Sequence, residues 1–177
     1  MRWLPVVALA ACSSSSSMGS SKISGTVSGD TPGGGDVVSA VVHVLTATHA
    51  SVVIADRAGY CDDLAAGIQR KGDRLLVITM RDNGAAPTMP EGFHVGPTDA
   101  TAMGFVTWVQ LDDNCNRMTL AGAGGGSITL DAVDGDVFRG SFDVMFGSLG
   151  HLSGTFSPSA CPGLSAAEAG DPPLMCK

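Results

Sequence analysis

Two short segments concentrate the side-chain oxygen atoms that a calcium ion prefers as ligands. Their members are Asp112, Asp113, Asn114 and Asn116 in the first segment and Asp131, Asp134 and Asp136 in the second. The second segment lacks the spacing of an EF-hand loop, since no acidic residue follows at the twelfth position. We therefore predict turns at both segments and no metal site or cofactor. If a cation binds, residues 112–116 are the better candidate, because Cys115 would fix the shape of that loop.

Motifs of other catalytic or ligand-binding sites are absent from the sequence. The four histidines, at positions 43, 49, 94 and 151, include no pair at the close spacing that a metal site usually needs. No G-x-S-x-G nucleophile motif occurs, and the glycine-rich residues 122–126 lack the spacing of a phosphate-binding loop. We therefore predict that the protein is not an enzyme. A hydrolase with a triad assembled from distant residues is the weakest alternative.

The chain begins with a short basic and apolar segment that ends at a cysteine. Arg2 is followed by nine uncharged residues, 3–11, which are too few to span a bilayer but suit an export signal. The residues Leu-Ala-Ala-Cys at positions 9–12 closely resemble the lipobox of bacterial lipoproteins. The resemblance implies cleavage before Cys12, thioether lipidation of Cys12 and acylation of the new amino terminus. An ordinary secretory signal is the alternative, because residues 8–10 also fit its small-x-small pattern.

Lipidation would place the protein at a membrane of the cell envelope. Each buried methylene contributes about 0.8 kcal/mol, so more than one acyl chain (palmitate, for example) gives stable attachment. Ser13, rather than Asp, follows the cysteine, and this favours the outer membrane if the source has two membranes. Residues 13–21 are mostly serine and predict a flexible tether of about 15–18 Å.

The four remaining cysteines are an even set in an exported chain, where disulfides persist. They are Cys61, Cys115, Cys161 and Cys176. Sequence alone allows three pairings, of which we favour Cys61 with Cys115 and Cys161 with Cys176. A zinc site is the less favoured alternative, because no two of the four form a C-x-x-C pair.

The composition favours strands and excludes one class of partner. There are 24 glycines, and short runs of Val, Thr and Phe recur, which is typical of β structure. The predicted strands are 22–27, 37–45, 51–55, 75–80, 93–95 and 101–111, with one or two helical turns within 61–69. The net charge of −7 gives no electrostatic basis for binding nucleic acid.

The last third of the chain predicts a three-stranded antiparallel meander. Apolar and polar residues alternate along 127–132, 138–146 and 151–157, as in a sheet with one solvated face. Three-residue loops at 133–135 and 148–150 would keep apolar residues opposite one another. The expected opposed pairs are Leu130 with Phe138, Phe146 with Leu152 and Phe142 with Phe156.

These observations predict an all-β protein, an antiparallel sandwich of about seven to nine strands with one short helix. A partly closed barrel is the alternative fold. Residues 1–11 form the signal peptide, 12–21 the lipidated cysteine and tether, and 22–177 one disulfide-stabilised β domain. The predicted function is that of a membrane-anchored envelope lipoprotein, a non-catalytic binding or structural module for an envelope protein or glycan. A sandwich that binds calcium or a small ligand is the second reading.

Overall fold

The structure is a computed structural model that describes residues 24–29, 40–97, 99–134, 137–161, 163–164 and 174–177. Strands dominate the described chain, which confirms the all-β prediction. In chain order they are β1 (Ser24–Gly29), β2 (Ala40–Leu45), β3 (Ala50–Ala55), β4 (Ile68–Gln69), β5 (Arg74–Asp82), β6 (Glu91–Val95), β7 (Ala102–Leu111), β8 (Arg117–Gly122), β9 (Gly125–Asp134), β10 (Val137–Met145), β11 (His151–Ser157), β12 (Ser159–Ala160) and β13 (Met175–Cys176). The helix α1 spans Tyr60–Ala65, and a 3-10 turn spans Gly147–Leu149.

Eleven strands form one continuous sheet that is nearly closed. Its order is β1-β11-β10-β9-β6-β7-β5-β3-β2-β12, and β8 pairs with β7 beside this path. The first strand of the path, β1, also approaches β2 near the other end, so the sheet curls into an incomplete barrel. The partly closed barrel, given above as the alternative to a sandwich, describes this path. The number of strands exceeds the predicted seven to nine.

The main core lies inside the curled sheet. Residues from both halves of the sheet meet there, because the inward positions of β3, β5 and β7 face those of β9, β10 and β11. Its members include Trp108, Phe93, Phe138, Phe142, Phe146, Phe156, Ile54, Leu76, Ile78 and Ile128, each at most 4% exposed. Strict alternation on these strands then determines which residues reach the outer surface.

A second apolar cluster lies outside the sheet, over β3, β5 and β7. Tyr60 and Leu64 of α1 pack there with Cys161 and Leu164 from the end of the chain. Their partners on the strands are Val53, Ala55, Leu75 and Val109. We call this region the covered face. The predicted helix is thus confirmed, and it begins after Gly59, whose φ of 74° lies in the left-handed region.

One disulfide joins the end of the chain to the covered face and the other joins it to the loop after β7, and the predicted pairing is wrong. The bonds link Cys61 with Cys161 and Cys115 with Cys176, with Cα–Cα distances of 5.7 and 5.5 Å. The pairing follows from strand order, which spacing in sequence does not reveal. Strand β12 pairs with β2 and brings Cys161 to α1, while β13 pairs with β4 and brings Cys176 to the loop of Cys115.

The predicted meander is confirmed as β9-β10-β11, but both hairpin registers differ from those expected. In the first hairpin Asp134 is opposite Val137, and a bulge between Arg139 and Gly140 places Leu130 opposite Gly140. The bulge has the same effect on side-chain orientation as the expected three-residue loop. It returns the apolar residues of both strands to the same face.

The second hairpin is shifted by two residues from its expected register. Val144 is opposite Leu152, and the loop 146–150 contains the 3-10 turn. Gly140, rather than Phe142, is opposite Phe156. Because the shift is even, every side chain stays on the predicted face.

Candidate functional site

The outer surface of the meander bears a group of short polar side chains, beside the exposed Arg139 and Met145. We call this group the hydroxyl face. Its members are Ser127 and Thr129 on β9, Ser141 and Asp143 on β10, and His151, Ser153 and Thr155 on β11. All of them are exposed or half-buried.

Strand register arranges these residues in two rows across the sheet. Asp143 is opposite Ser127 on one side and Ser153 on the other. In the next row Ser141 is opposite Thr129 and Thr155. Directly opposed residues have Cβ atoms about 4.5–5.5 Å apart, so each row is a line of closely spaced polar groups.

The buried side of the same strands maintains this arrangement. Ile128, Leu130, Phe142 and Val144 alternate with the polar residues and are at most 3% exposed. Gly140 lies so close to Phe156 that a Cβ atom at Gly140 would be 2.7 Å from the Phe156 ring. A one-residue slip would exchange the two faces, and the buried aromatic residues prevent it.

Six residues of the hydroxyl face line an open depression of about 460 Å³. They are Ser127, Thr129, Ser141, Asp143, Ser153 and Thr155. Since Ser and Thr hydroxyls both donate and accept hydrogen bonds, this depression suits a polar, uncharged ligand.

One hydrogen-bonding contact between side chains crosses the face. His151 Nε2 lies 2.7 Å from Asp143 Oδ1, and the two side chains are 46% and 68% exposed. A triad needs a histidine oriented by a buried carboxylate. The exposed Asp143 lacks that burial, so the pair differs from the histidine and carboxylate of a triad.

Charged residues on the covered face form ion pairs that link α1 to neighbouring segments of the chain. Arg57 makes two hydrogen bonds to the buried Asp73, Nε–Oδ1 at 2.6 Å and Nη2–Oδ2 at 2.9 Å. Its Nη1 lies 2.6 Å from Asp63 of the helix, and Arg70 Nε donates to Asp63 at 2.7 Å.

The hydrogen bond from Arg70, followed by the charge of Arg57, lowers the pKa of Asp63. Burial raises the pKa of Tyr60, which lies beneath Arg57. These groups satisfy one another and leave no free functional group for a ligand.

The loop after β7 is built around Asp112. Its Oδ1 accepts hydrogen bonds from the backbone N–H groups of Asn114 and Asn116, both at 2.8 Å. Oδ2 accepts from the Asn116 amide at 3.2 Å, and these donors lower the pKa of Asp112. Cys115, held by its disulfide, takes a φ of 58°. The oxygens of the Asp112 carboxylate thus accept hydrogen bonds from their own loop, and these bonds stabilise the turn.

The other candidate ligands do not converge. Asp113 and Asn114 are exposed on that loop, and Asp131 and Asp134 are exposed on β9, while Asp136 lies outside the described residues. Within the described ranges, no group of three or more His, Cys, Asp or Glu side chains could hold a metal ion. His94 and His151 lie on different strands, His49 lies in the turn before β3, and nothing is described for the side chain of His43.

The predicted lipidation site also falls outside the described part of the chain, which starts at residue 24 and so excludes Cys12 and the tether. Of the helices that the structure describes, none has the length and apolar character to cross a membrane.

Comparison with known proteins found no match. No protein family, no curated protein and no solved structure is similar to this chain.

The alternation that predicts the meander already contains the hydroxyl face, but polar outward positions alone predict only solvation. The informative signal is the kind of polar residue. Along residues 127–129, 141–143 and 153–155 the outward positions are short hydroxyls and one Asp, without any Lys or Glu.

Proposed function

We propose that this protein is a lipid-anchored envelope module, without catalytic activity, that binds a polar ligand through the hydroxyl face. The tether-like residues 13–21 and the lipobox resemblance at residues 9–12 support the anchoring. The negative net charge of the chain supports anchoring by lipid rather than by surface charge, because anionic headgroups repel it.

The observation that supports the binding role is that one outer face of the sheet is covered and the other is open to solvent. A helix, the end of the chain and two disulfides occupy the outside of β3, β5 and β7. The outside of β9, β10 and β11 instead bears short side chains around an open depression. Ser and Thr lose little rotamer freedom on binding, so such a surface meets a ligand at a low entropic cost.

The ligand side of this proposal is tested by photocrosslinking in the producing bacterium. A photoreactive residue at Thr129, on the hydroxyl face, should give an adduct with an envelope component. The matched control is Thr119, exposed on β8 away from that face, which should give none. Equal adducts from both positions, or none from either, would contradict the proposal.

The anchor is tested separately. Metabolic labelling with a fatty acid should mark the native chain, and Cys12→Ser should abolish the label and release the protein from membranes. A label that persists in the Cys12→Ser chain would exclude lipidation at this residue.

A further inference from the structure

The two disulfides differ in how far they are buried. Cys161 is 2% exposed and packs in the apolar cluster of the covered face, with Cys61 partly buried beside it. Cys176 is exposed on β13, and its partner Cys115 is 8% exposed. We call the bond between Cys115 and Cys176 the terminal disulfide. Because exchange begins when a thiolate attacks one sulfur of a disulfide, access to that sulfur controls the rate, and the terminal disulfide offers the better access.

The end of the chain, residues 174–177, is held mainly by backbone hydrogen bonds. Strand β13 pairs with β4 in a two-stranded sheet that is separate from the main one. Its bonds include Met175 N–H to the Gly67 oxygen at 2.8 Å, Lys177 N–H to the Gln69 oxygen at 2.9 Å and Lys71 N–H to the Lys177 oxygen at 3.0 Å. The Met175 side chain is 58% exposed, and Leu174 packs only partly buried against the covered face. Exposed segments with so little buried surface open at a low free energy.

The segments on either side of the terminal disulfide have other support. The loop after β7 is held by Asp112, which accepts hydrogen bonds from the backbone N–H groups of Asn114 and Asn116 at 2.8 Å. The helix α1 is held by the disulfide between Cys61 and Cys161 and by its buried side chains. Cleavage of the terminal disulfide should therefore free β13 without unfolding the loop or the helix.

We propose that the terminal disulfide is a reversible redox clasp, opened by a dithiol reductant such as a reduced C-x-x-C protein. In the opened state β13 leaves β4, while α1 and the main sheet keep their folds. This inference goes beyond the proposed binding role, because it does not depend on what the hydroxyl face binds.

The opening reaction has two steps. A thiolate of the reductant attacks the exposed Cys176 Sγ, forms a mixed disulfide with it and expels the Cys115 thiolate, which takes a proton from water. The second thiol of the reductant loses its proton and attacks the reductant sulfur of the mixed disulfide. Cys176 then leaves as a thiolate and is protonated. The dithiol is oxidised by two electrons to a disulfide, and the terminal disulfide is reduced to two thiols.

Opening leaves the edge of β4 unpaired. The carbonyl oxygens of Gly67 and Gln69 and the N–H group of Lys71 lose their partners on β13. An unpaired strand edge can hydrogen-bond to a strand of another chain. The redox state of the clasp thus determines whether this edge is available.

The test is a reduction series on the full native chain. The protein is incubated with increasing concentrations of dithiothreitol without denaturant, free thiols are alkylated, and the alkylated positions are identified by mass spectrometry. Cys115 and Cys176 should be alkylated together, about tenfold or more faster than Cys61 and Cys161. Reduction of both disulfides at one rate, or of the buried disulfide first, would overturn the proposal.

Amide hydrogen exchange followed by NMR shows what opening releases. After reduction, exchange should be about tenfold or more faster at the amides of Lys71, Met175 and Lys177. The amides of Asp63 and Ala66, which bond within α1, should exchange as before. Reoxidation should restore slow exchange at the three amides. Unchanged exchange at those amides after reduction, or faster exchange throughout α1, would overturn the proposal, and so would failure of reoxidation to restore them.

Paired substitutions supply the control. Cys115→Ser with Cys176→Ser should show fast exchange at the same three amides without reductant and should not respond to dithiothreitol. Cys61→Ser with Cys161→Ser is the matched control, in which these amides should stay slow until dithiothreitol is added. The opposite pattern in the two variants would contradict the clasp. If either variant fails to fold, the reduction series on the native chain decides alone.

Discussion

The two outer faces of the curled sheet carry different kinds of side chain. On the covered face, outward positions such as Val53, Leu75 and Val109 are apolar and buried beneath α1 and the end of the chain. On the hydroxyl face, the outward residues of β9, β10 and β11 are Ser, Thr, Asp and His, with the exposed Met145 beside them. Both sets of strands share the same inner core. The sheet alone therefore does not determine what covers its outside.

We infer from this difference that one face stabilises the fold and the other is available for binding. Disulfides and ion pairs, one of them with the buried Asp73, lie around the covered face, where they hold short elements that have little core of their own. The hydroxyl face needs no such support, since its strands are long and paired on both sides. We expect substitutions on the covered face to change stability and substitutions on the hydroxyl face to change binding.

The largest effect should come from removing the disulfide between Cys61 and Cys161. It closes a loop with a sequence separation of 100 residues, and the chain-entropy description gives about 4–5 kcal/mol of stabilisation for a loop of that size. A chain with both cysteines replaced by Ser should lose this amount in urea unfolding followed by the fluorescence of the buried Trp108. Peptide mapping without reduction checks the pairing itself. A peptide linking Cys161 to Cys176 would contradict the structure.

A smaller effect is expected where the end of the chain touches the helix. A Cβ atom at Gly163 would lie 2.5 Å from the Ala65 nitrogen and 2.8 Å from the Leu64 carbonyl carbon. Gly163→Ala should therefore displace α1 and cost about 1–3 kcal/mol. Faster hydrogen exchange confined to α1 would show where the change acts.

The matched control for this substitution is Gly92→Ala on β6. A Cβ atom there meets no heavy atom within 4 Å, and Gly92 is exposed with an ordinary φ. Unfolding free energies that are equal for the two variants would show that the helix does not pack as closely on Gly163 as described.

The ion pairs of the covered face predict a dependence on acid. Because the pKa of Asp63 is lowered in the folded protein, the unfolded chain binds protons more readily. The stabilisation is thus complete above the ordinary carboxyl pKa and is lost as the pH falls through the lower, folded value. Arg70→Met should make the acid loss of melting temperature shallower, whereas Lys71→Met, a neighbouring exposed position, should leave its slope unchanged. Parallel melting curves for all three chains would contradict the assigned cause.

Local pattern was sufficient for the elements and for their faces. Alternation along residues 138–146 and 151–157 identified which residues are buried, and the acidic Asp62 and Asp63 marked the start of α1. The hairpin registers were less accessible, because a bulge at Arg139 and a wider loop at 146–150 preserve the same faces as the loops expected from sequence. Alternation alone cannot distinguish registers that differ by an even number of residues.

Long-range order was not accessible. Residues 93–95 were expected to be a short edge strand, but β6 lies between β9 and β7 inside the sheet. Strand β8 was not predicted, although Met118 and Leu120 alternate with Arg117 and Thr119; both apolar side chains are exposed rather than part of the core. The cysteine pairing failed for the same reason, as it depends on the parallel contacts of β12 and β13. The candidate site could be predicted only as a solvated surface, because polar outward positions alone do not distinguish a binding surface from a solvated one.

The smallest stability effect should occur on the hydroxyl face, and it is the most informative. Thr129 is exposed, and Val fits a strand as well as Thr does, so Thr129→Val should change the unfolding free energy by no more than about 0.5 kcal/mol. A combined Thr129→Val and Ser141→Ala chain should likewise melt close to the native temperature while losing adducts with envelope components. A large loss of stability would mean that these hydroxyls hold the sheet together. The contrast between a stabilising face and a binding face would then fail.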